Sequence, residues 1–133
     1  CGGGINHRMG LDDAAMLKEN HIAWAGGITA AIAAVRRQAP WPTRVIVEAE
    51  TEDQACEAVQ AGADGVLLDE FTPEHLTVLV PRLRELRTND VVLEASGVQP
   101  EDLKAYAASG IDLISTSAPV TRSRWLDLSM RFT

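Results

Sequence analysis

Ala61-Gly62-Ala63-Asp64-Gly65-Val66-Leu67-Leu68-Asp69 decides the fold. Gly62 supplies the backbone freedom that stops a helix. Val66-Leu67-Leu68 is a short apolar run of strand type, and a carboxylate, Asp69, ends it. The same order of helix stop, turn and strand start returns as Ser109-Gly110-Ile111-Asp112-Leu113-Ile114. A chain that repeats this device is built from βα units.

Working outward, Thr51-x-x-Gln54 is a capping box that opens the helix closed by Gly62. On the other side, Thr72-Pro73 supplies an N-cap with proline at the first helical position. The helix it leads carries Leu76, Leu79 and Leu83, and Pro81 is expected to kink or divide it. Residues 44–50 are β-branched and short, as are residues 91–94 and 111–115, so all three read as strands. A helix over residues 100–108 stops at Gly110. Upstream, residues 23–28 read as a loop, and Thr29 caps a helix ending near Gln38, with Ile28, Ile32 and Val35 on one face. The pattern of residues 125–130 leaves strand and short helix both open.

Strands alternating with helices imply right-handed crossovers and a parallel sheet. The apolar strand centres suggest a sheet covered on both faces. A doubly wound sheet and a β/α barrel both fit. The barrel is preferred because polar side chains recur at successive strand C-termini: Lys18, Glu48, Asp69, Ser96 and Ser117. Barrel active sites are assembled at that end. The expected fold is therefore α/β, a partial β/α barrel of about five parallel strands, against eight in the common closed form.

The chain has 133 residues, 46% of them hydrophobic and 23% charged, with a net charge of −7. This is the composition of one soluble domain. The acidic balance argues against nucleic acid or an anionic membrane as partner. Cys1 and Cys56 make no CxxC pair, which points to a reducing, cytoplasmic setting. Cys56 is expected in helix packing. The longest uncharged run, residues 22–35, is too short to cross a bilayer. The chain does not begin with Met and starts within a motif, so it reads as a fragment.

Against this acidic background the start of the chain, Cys1-Gly2-Gly3-Gly4-Ile5-Asn6-His7-Arg8, stands out, followed by Ala14-Ala15-Met16-Leu17-Lys18. The glycines permit close approach to a ligand. Arg8 offers a planar fork for carboxylate or phosphate, and Lys18 a movable point charge. A small anionic ligand suits this local exception. Glu48 and Asp69 end adjacent strands. Such a pair can hold Mg²⁺, bind ribose hydroxyls or stabilise a developing cation. Ser96-Gly97 and Ser115-Thr116-Ser117-Ala118 offer backbone N–H groups to a phosphate. His75 reads as a surface residue. No His/Cys cluster has zinc spacing.

The string CGGGINHRMGLDDAAMLKENHI resembles the central signature of the quinolinate phosphoribosyltransferases, in which glycines, His-Arg, Leu-x-Asp and Lys-x-Asn-His recur in this order. The likeness extends over essentially the whole chain. It implies a six-stranded open barrel preceded by an α/β sandwich domain, with residues 1–133 as the C-terminal part of the barrel. The sandwich and the first barrel strand or strands would lie outside it. It also implies a transferase that moves phosphoribosyl from phosphoribosyl pyrophosphate to quinolinate with decarboxylation, needs Mg²⁺ and works as a homodimer. His7, Arg8 and Lys18 would hold the substrate carboxylates, and His21 would lie behind them. Glu48 and Asp69 would face the ribose and the Mg²⁺-pyrophosphate, with Lys18, Glu48 and Asp69 as the catalytic set. Ser96, Gly97, Ser117 and Ala118 would cradle the 5′-phosphate. Val98, Ser117 and Arg122 depart from the family pattern, where glycine, glycine and histidine are common. Three alternatives stand beside this reading: a paralogue of the molybdenum-transport-associated type acting on another base, a barrel aldolase with Lys18 as Schiff-base nucleophile and a lowered pKa, and a truncated chain without activity.

Overall fold

The computed structural model describes residues 3–131; Cys1 lies outside them. Five strands, β1 (Ala14–Leu17), β2 (Arg44–Ala49), β3 (Gly65–Leu68), β4 (Val92–Ala95) and β5 (Leu113–Ile114), form one parallel sheet in the order β1-β2-β3-β4-β5. The helices are α1 (Glu19–Ala25), α2 (Ile28–Gln38), α3 (Glu52–Gln60), α4 (Pro73–Leu86), α5 (Leu103–Ala107, preceded by a 3₁₀ turn at Pro100–Asp102) and α6 (Ala118–Thr121).

The strand order decides between the two candidate architectures. A doubly wound sheet reverses its order, which places helices on both faces. Here the order never reverses, and crossovers of one hand then place successive helices on one face. The burial pattern agrees. Val45, Val47 and Ala49 of β2 are fully buried against the helices, whereas Ile46 and Glu48 between them are half-buried on the other face. The expectation of cover on both faces is therefore corrected: helices cover one side, and the other is the concave inside of a partial barrel.

The helices form where their apolar stripes meet this sheet. In α4, Leu76, Leu79, Val80 and Leu83 follow the i, i+3, i+4, i+7 pattern and are buried. Removing one such leucine side chain costs about 2–5 kcal/mol. Thr72 caps α4 and Thr51 caps α3, each accepting a backbone N–H through its hydroxyl. The helix α4 runs through Pro81 undivided. Cys56 is buried in the core, as expected of a packing residue.

Three local expectations fail. Residues 23–25, expected in a loop, end the helix α1 instead: the His21 ring nitrogen Nδ1 accepts the Lys18 backbone N–H at 3.1 Å, and Gly26, at φ 85°, closes the helix. Thr29 is not the cap of α2, which starts one residue earlier behind Gly27. Its N–H and hydroxyl both donate to Glu57 on α3 instead. Residues 125–130 adopt neither strand nor helix, and Trp125, Leu126, Leu128 and Met130 are exposed.

The sequence repeat has a structural counterpart. Arg36 donates to Asp64 at 2.6 Å, and Arg84 donates to Asp112 at 2.6 Å, each bond spanning 28 positions. A backbone bond repeats as well, since Asp64 and Asp112 accept the N–H of Val45 and of Leu93, each 19 positions away. These aspartates pin the starts of β3 and β5 to the neighbouring strands, at the end of the sheet remote from Lys18. In β/α barrels that end serves stability.

Candidate functional site

The strand register arranges the inner face in rows. Glu48, Leu67, Glu94 and Leu113 lie side by side on β2 to β5. Lys18 follows the last residue of β1 and reaches into this row, where its Nζ donates to Glu48 Oε1 at 2.7 Å. This hydrogen bond holds the Lys18 ammonium pKa above its ordinary value. Partial burial opposes the shift, and the charges of Glu48, Glu19 and Asp69 add to it. The aldolase alternative needs a lysine with a lowered pKa, and the Lys18 environment acts in the opposite sense.

One step beyond β3, Asp69 is half-buried, with its N–H on the Ala49 carbonyl. Glu70 next to it takes a left-handed backbone conformation, φ 61°, rare for a glutamate. Phe71 then buries its ring, and its carbonyl accepts the Tyr106 hydroxyl at 2.9 Å. Gly97, at φ 70°, sits beside Asp69: a Cβ there would lie 4.0 Å from Asp69 Oδ1. Lys18, Glu48, Asp69, Ser96 and Gly97 thus gather at the C-terminal end of the sheet, as the sequence led us to expect.

The phosphate elements are partly engaged. The N–H groups of Ser96 and Val98 donate to the carbonyls of Leu68 and Ser115, and Gly97 O accepts Gln99. Ser117 caps α6 through its carbonyl, and the Ala118 N–H donates to the Thr116 hydroxyl at 3.2 Å. This loop pair retains hydroxyl groups for a ligand, and the N–H groups of Gly97, Thr116 and Ser117 make no hydrogen bond among the described residues. Val98 is buried, and Arg122 pairs with Glu101 at 3.2 Å.

His7 and Arg8 stand apart from Lys18. They lie on an irregular strap, residues 3–13, that crosses the concave face. The Arg8 guanidinium donates to the Ala14 carbonyl at 3.1 Å and meets the Met16 sulfur at 3.8 Å, both on β1. His7 Nε2 lies 3.6 Å from Glu94 Oε2 on β4. Two hollows of about 570 and 550 Å³ flank the strap. Both are lined by His7 and Glu94, and neither by Lys18, Glu48 or Asp69.

Glu94 itself escaped the sequence reading, which took residues 91–94 only as a strand. The period of two that places Glu94 and Ser96 on one face was the available signal. His21 proves to be the capping group of α1, and His75 is half-buried, bonded to Glu52 at 2.5 Å and stacked at a tilt on Phe71. Among the described residues no three His, Cys, Asp or Glu side chains cluster as a metal site, and no helix is long and apolar enough to cross a membrane.

Comparison with known proteins gives a consistent answer. The family described as quinolinate phosphoribosyl transferase, C-terminal domain, matches residues 1–131. A Synechocystis protein named "Probable nicotinate-nucleotide pyrophosphorylase (carboxylating)" is 42% identical over 132 residues, which cover 98% of this chain and 44% of that protein. The human nicotinate-nucleotide pyrophosphorylase (carboxylating) is 34% identical over 130 residues, covering 98% of this chain and 44% of that one. Among solved structures, NadC from Streptococcus pyogenes matches with TM-score 0.80 at 35% identity, covering 98% of this chain and 45% of that chain. The nicotinate-nucleotide pyrophosphorylase from Francisella tularensis matches with TM-score 0.80 at 39% identity, covering 89% and 41%. The chain spans less than half the length of these relatives.

Proposed function

This chain belongs to the family of quinolinate phosphoribosyl transferase C-terminal domains, and from that premise we propose that it supplies the catalytic face of a nicotinate-nucleotide pyrophosphorylase. In the proposed reaction the quinolinate nitrogen attacks C1 of phosphoribosyl pyrophosphate and the C1–O bond to pyrophosphate breaks. The bond to the 2-carboxylate then breaks, its electron pair remains on the ring to take up a proton, and the products are nicotinate mononucleotide, pyrophosphate and CO₂.

One observation supports the reading best: Lys18 and Glu48 in contact at 2.7 Å, with Asp69 at the end of the neighbouring strand. A cation beside two carboxylates suits a reaction that joins an anionic acid to a sugar centre developing positive charge. Lys18 meets a substrate carboxylate. Glu48 and Asp69 face the ribose and stabilise the oxocarbenium-like transition state through charges fixed before the reaction begins. Arg8 supplies the second anion contact by turning its fork from the Ala14 carbonyl, and the Ser96 hydroxyl with the Gly97 N–H receives the 5′-phosphate.

Glu48 and Asp69 are hard oxygen donors, the type that holds Mg²⁺ together with waters and substrate phosphates. They would hold Mg²⁺ there, and the ion would supply charge neutralisation for the leaving pyrophosphate. The same reading includes a homodimer and a cytoplasmic setting. It also includes a contribution to the site from the additional length that the relatives possess.

Calorimetric titration of the intact protein with quinolinate and with nicotinate tests the proposal. Quinolinate is expected to bind at least about tenfold more tightly, the factor for one further charge-assisted contact. Equal affinities would overturn the assignment of a dianion site.

A further inference from the structure

Glu48 and Asp69 lead into α3 and α4, and a cluster of side chains joins the starts of these two helices. Glu52 is the first residue of α3, and His75 stands in the first turn of α4. His75 Nε2 donates to Glu52 Oε1 at 2.5 Å, and Arg82 donates to Glu52 Oε2 at 3.1 Å. An ionised carboxylate only accepts, so the proton of the first bond sits on Nε2. That bond holds the Glu52 carboxyl below its ordinary value; desolvation opposes the shift, and the charges of His75 and Arg82 add to it. Both partners are half-exposed, so solvent screens the pair and its part in stability is small. The reaction proposed above uses none of these groups.

The position of the cluster matters more than its strength. His75 stacks at a tilt on Phe71, with ring centroids 5.0 Å apart. Phe71 is buried, and its carbonyl accepts the Tyr106 hydroxyl at 2.9 Å. Between Phe71 and Asp69 lies only Glu70, at φ 61°. A residue in this region persists only where its surroundings over-determine it. On one side the Asp69 N–H is tied to the Ala49 carbonyl. On the other, Tyr106 and His75 hold Phe71, and Glu52 carries that hold across to the loop behind Glu48.

We propose that His75 is a positioning residue for Asp69: anchored on Glu52, it keeps Phe71 seated, and Phe71 fixes the strained Glu70 turn that aims the Asp69 carboxylate at the strand ends. The inference rests on the site reading given above, in which Asp69 faces the ribose, and deepens it. His75 itself touches no substrate.

His75→Ala in the intact protein is the test. The expected kcat is about tenfold lower, since a misplacement of ~1 Å costs about 100-fold and a loosened turn moves Asp69 by less. The KM for quinolinate should change little, because the cations assigned to it lie at β1 and on the strap. A merely structural role would lower the melting temperature and leave kcat of the folded protein unchanged. Glu52→Ala, which removes the anchor and keeps the imidazole, should lower kcat in the same way and serves if His75→Ala does not fold. In a double-mutant cycle, His75→Ala should cost nothing further in the Asp69→Asn background, where the carboxylate it aims is gone. If Asp69→Asn leaves no measurable turnover, the cycle of His75→Ala with Glu52→Ala decides, and their effects should not add. An unchanged kcat in His75→Ala, or multiplying effects in the cycle, would overturn the proposal. Asp69→Asn also separates the two levels: full activity in that variant removes the site reading itself, whereas its impairment beside a silent His75→Ala removes only this inference.

Discussion

Lys18 Nζ lies 2.7 Å from Glu48 Oε1, so the ends of β1 and β2 are joined by an ion pair at the rim of the concave face. The Glu48 side chain is largely covered, while that of Lys18 is 46% exposed. Solvent therefore screens the pair, and its contribution to stability is about 0.5 kcal/mol. Its position at the strand ends gives it a greater consequence for chemistry than for folding.

Lys18→Met should accordingly separate activity from stability. In the intact protein kcat/KM for quinolinate should fall at least about 100-fold, the usual cost of a preorganised electrostatic group. The unfolding free energy should fall by only about 0.5 kcal/mol. Because the Lys18 pKa is raised above 10.5, that small contribution is complete below pH 10.5 and disappears as pH rises through the raised value. Urea unfolding at pH 8 and at pH 11 checks the sign: the gap between parent and variant should close at the higher pH.

The opposite pH dependence is expected at the remote end of the sheet. Burial raises the Asp112 pKa, but the bonds from Arg84 and from the Leu93 N–H outweigh it and hold the carboxyl below its ordinary 3.8. Asp112→Ala leaves both donors without their partner and should cost about 1–2 kcal/mol at pH 7, reduced from the buried case by solvent access. A lowered carboxylate pKa stabilises above pH 3.8 and is lost as pH falls through the lowered value. The deficit of the variant should therefore shrink at pH 2–3. Asp64→Ala, the repeat counterpart, should cost a similar amount at pH 7. Denaturant midpoints of both variants test whether the two pins are equivalent.

That repeat was legible because its signals are local. Gly62 and Gly110 stop helices, Asp64 and Asp112 follow at one spacing, and apolar strand residues come next. Thr51 and Thr72 were legible as caps for the same reason. Lys18, Glu48 and Asp69 could be grouped because alternation fixes which side chains share a face at the strand ends. The α1 helix was not legible: none of its residues is buried, so it has no apolar stripe, and a side-chain bond from His21 starts it. Thr29 misled because Glu57, distant in sequence, claims its hydroxyl. The orientation of His7 and Arg8 depends on where the strap meets β1 and β4. Those are long-range contacts with no periodic trace.

Glu70 gives a third expectation. Its φ of 61° crowds the glutamate Cβ against its own backbone, a strain of about 1 kcal/mol for a residue of this type. Glycine carries no such penalty. Glu70→Gly, or Glu70→Asn, should raise the melting temperature of the intact protein by a few degrees, since about 1 kcal/mol corresponds to a shift of this size. An unchanged or lower melting temperature would mean that the Glu70 carboxylate makes a stabilising contact in the assembled protein.

The last expectation concerns residues 1–133 produced alone. The sheet of the described residues ends at β1 on one side and β5 on the other, and both edges carry unpaired backbone groups. The concave face presents Ile46, Val92 and Leu113 to the open hollow lined with His7 and Glu94. Trp24, Trp41, Trp125, Leu126, Leu128 and Met130 stand in solvent. Apolar surface on this scale marks an interaction site or an aggregation hazard. Open strand edges add to the hazard, because they pair with other chains. Lys18, Glu48 and Asp69 would be present in such a preparation but loosely held, and a displacement of ~1 Å already costs about 100-fold in rate. The chain alone should therefore associate at micromolar concentration in size-exclusion chromatography. It should release no measurable pyrophosphate from quinolinate and phosphoribosyl pyrophosphate. Turnover within an order of magnitude of the intact protein, from a monodisperse sample, would mean that the five strands hold the whole site by themselves.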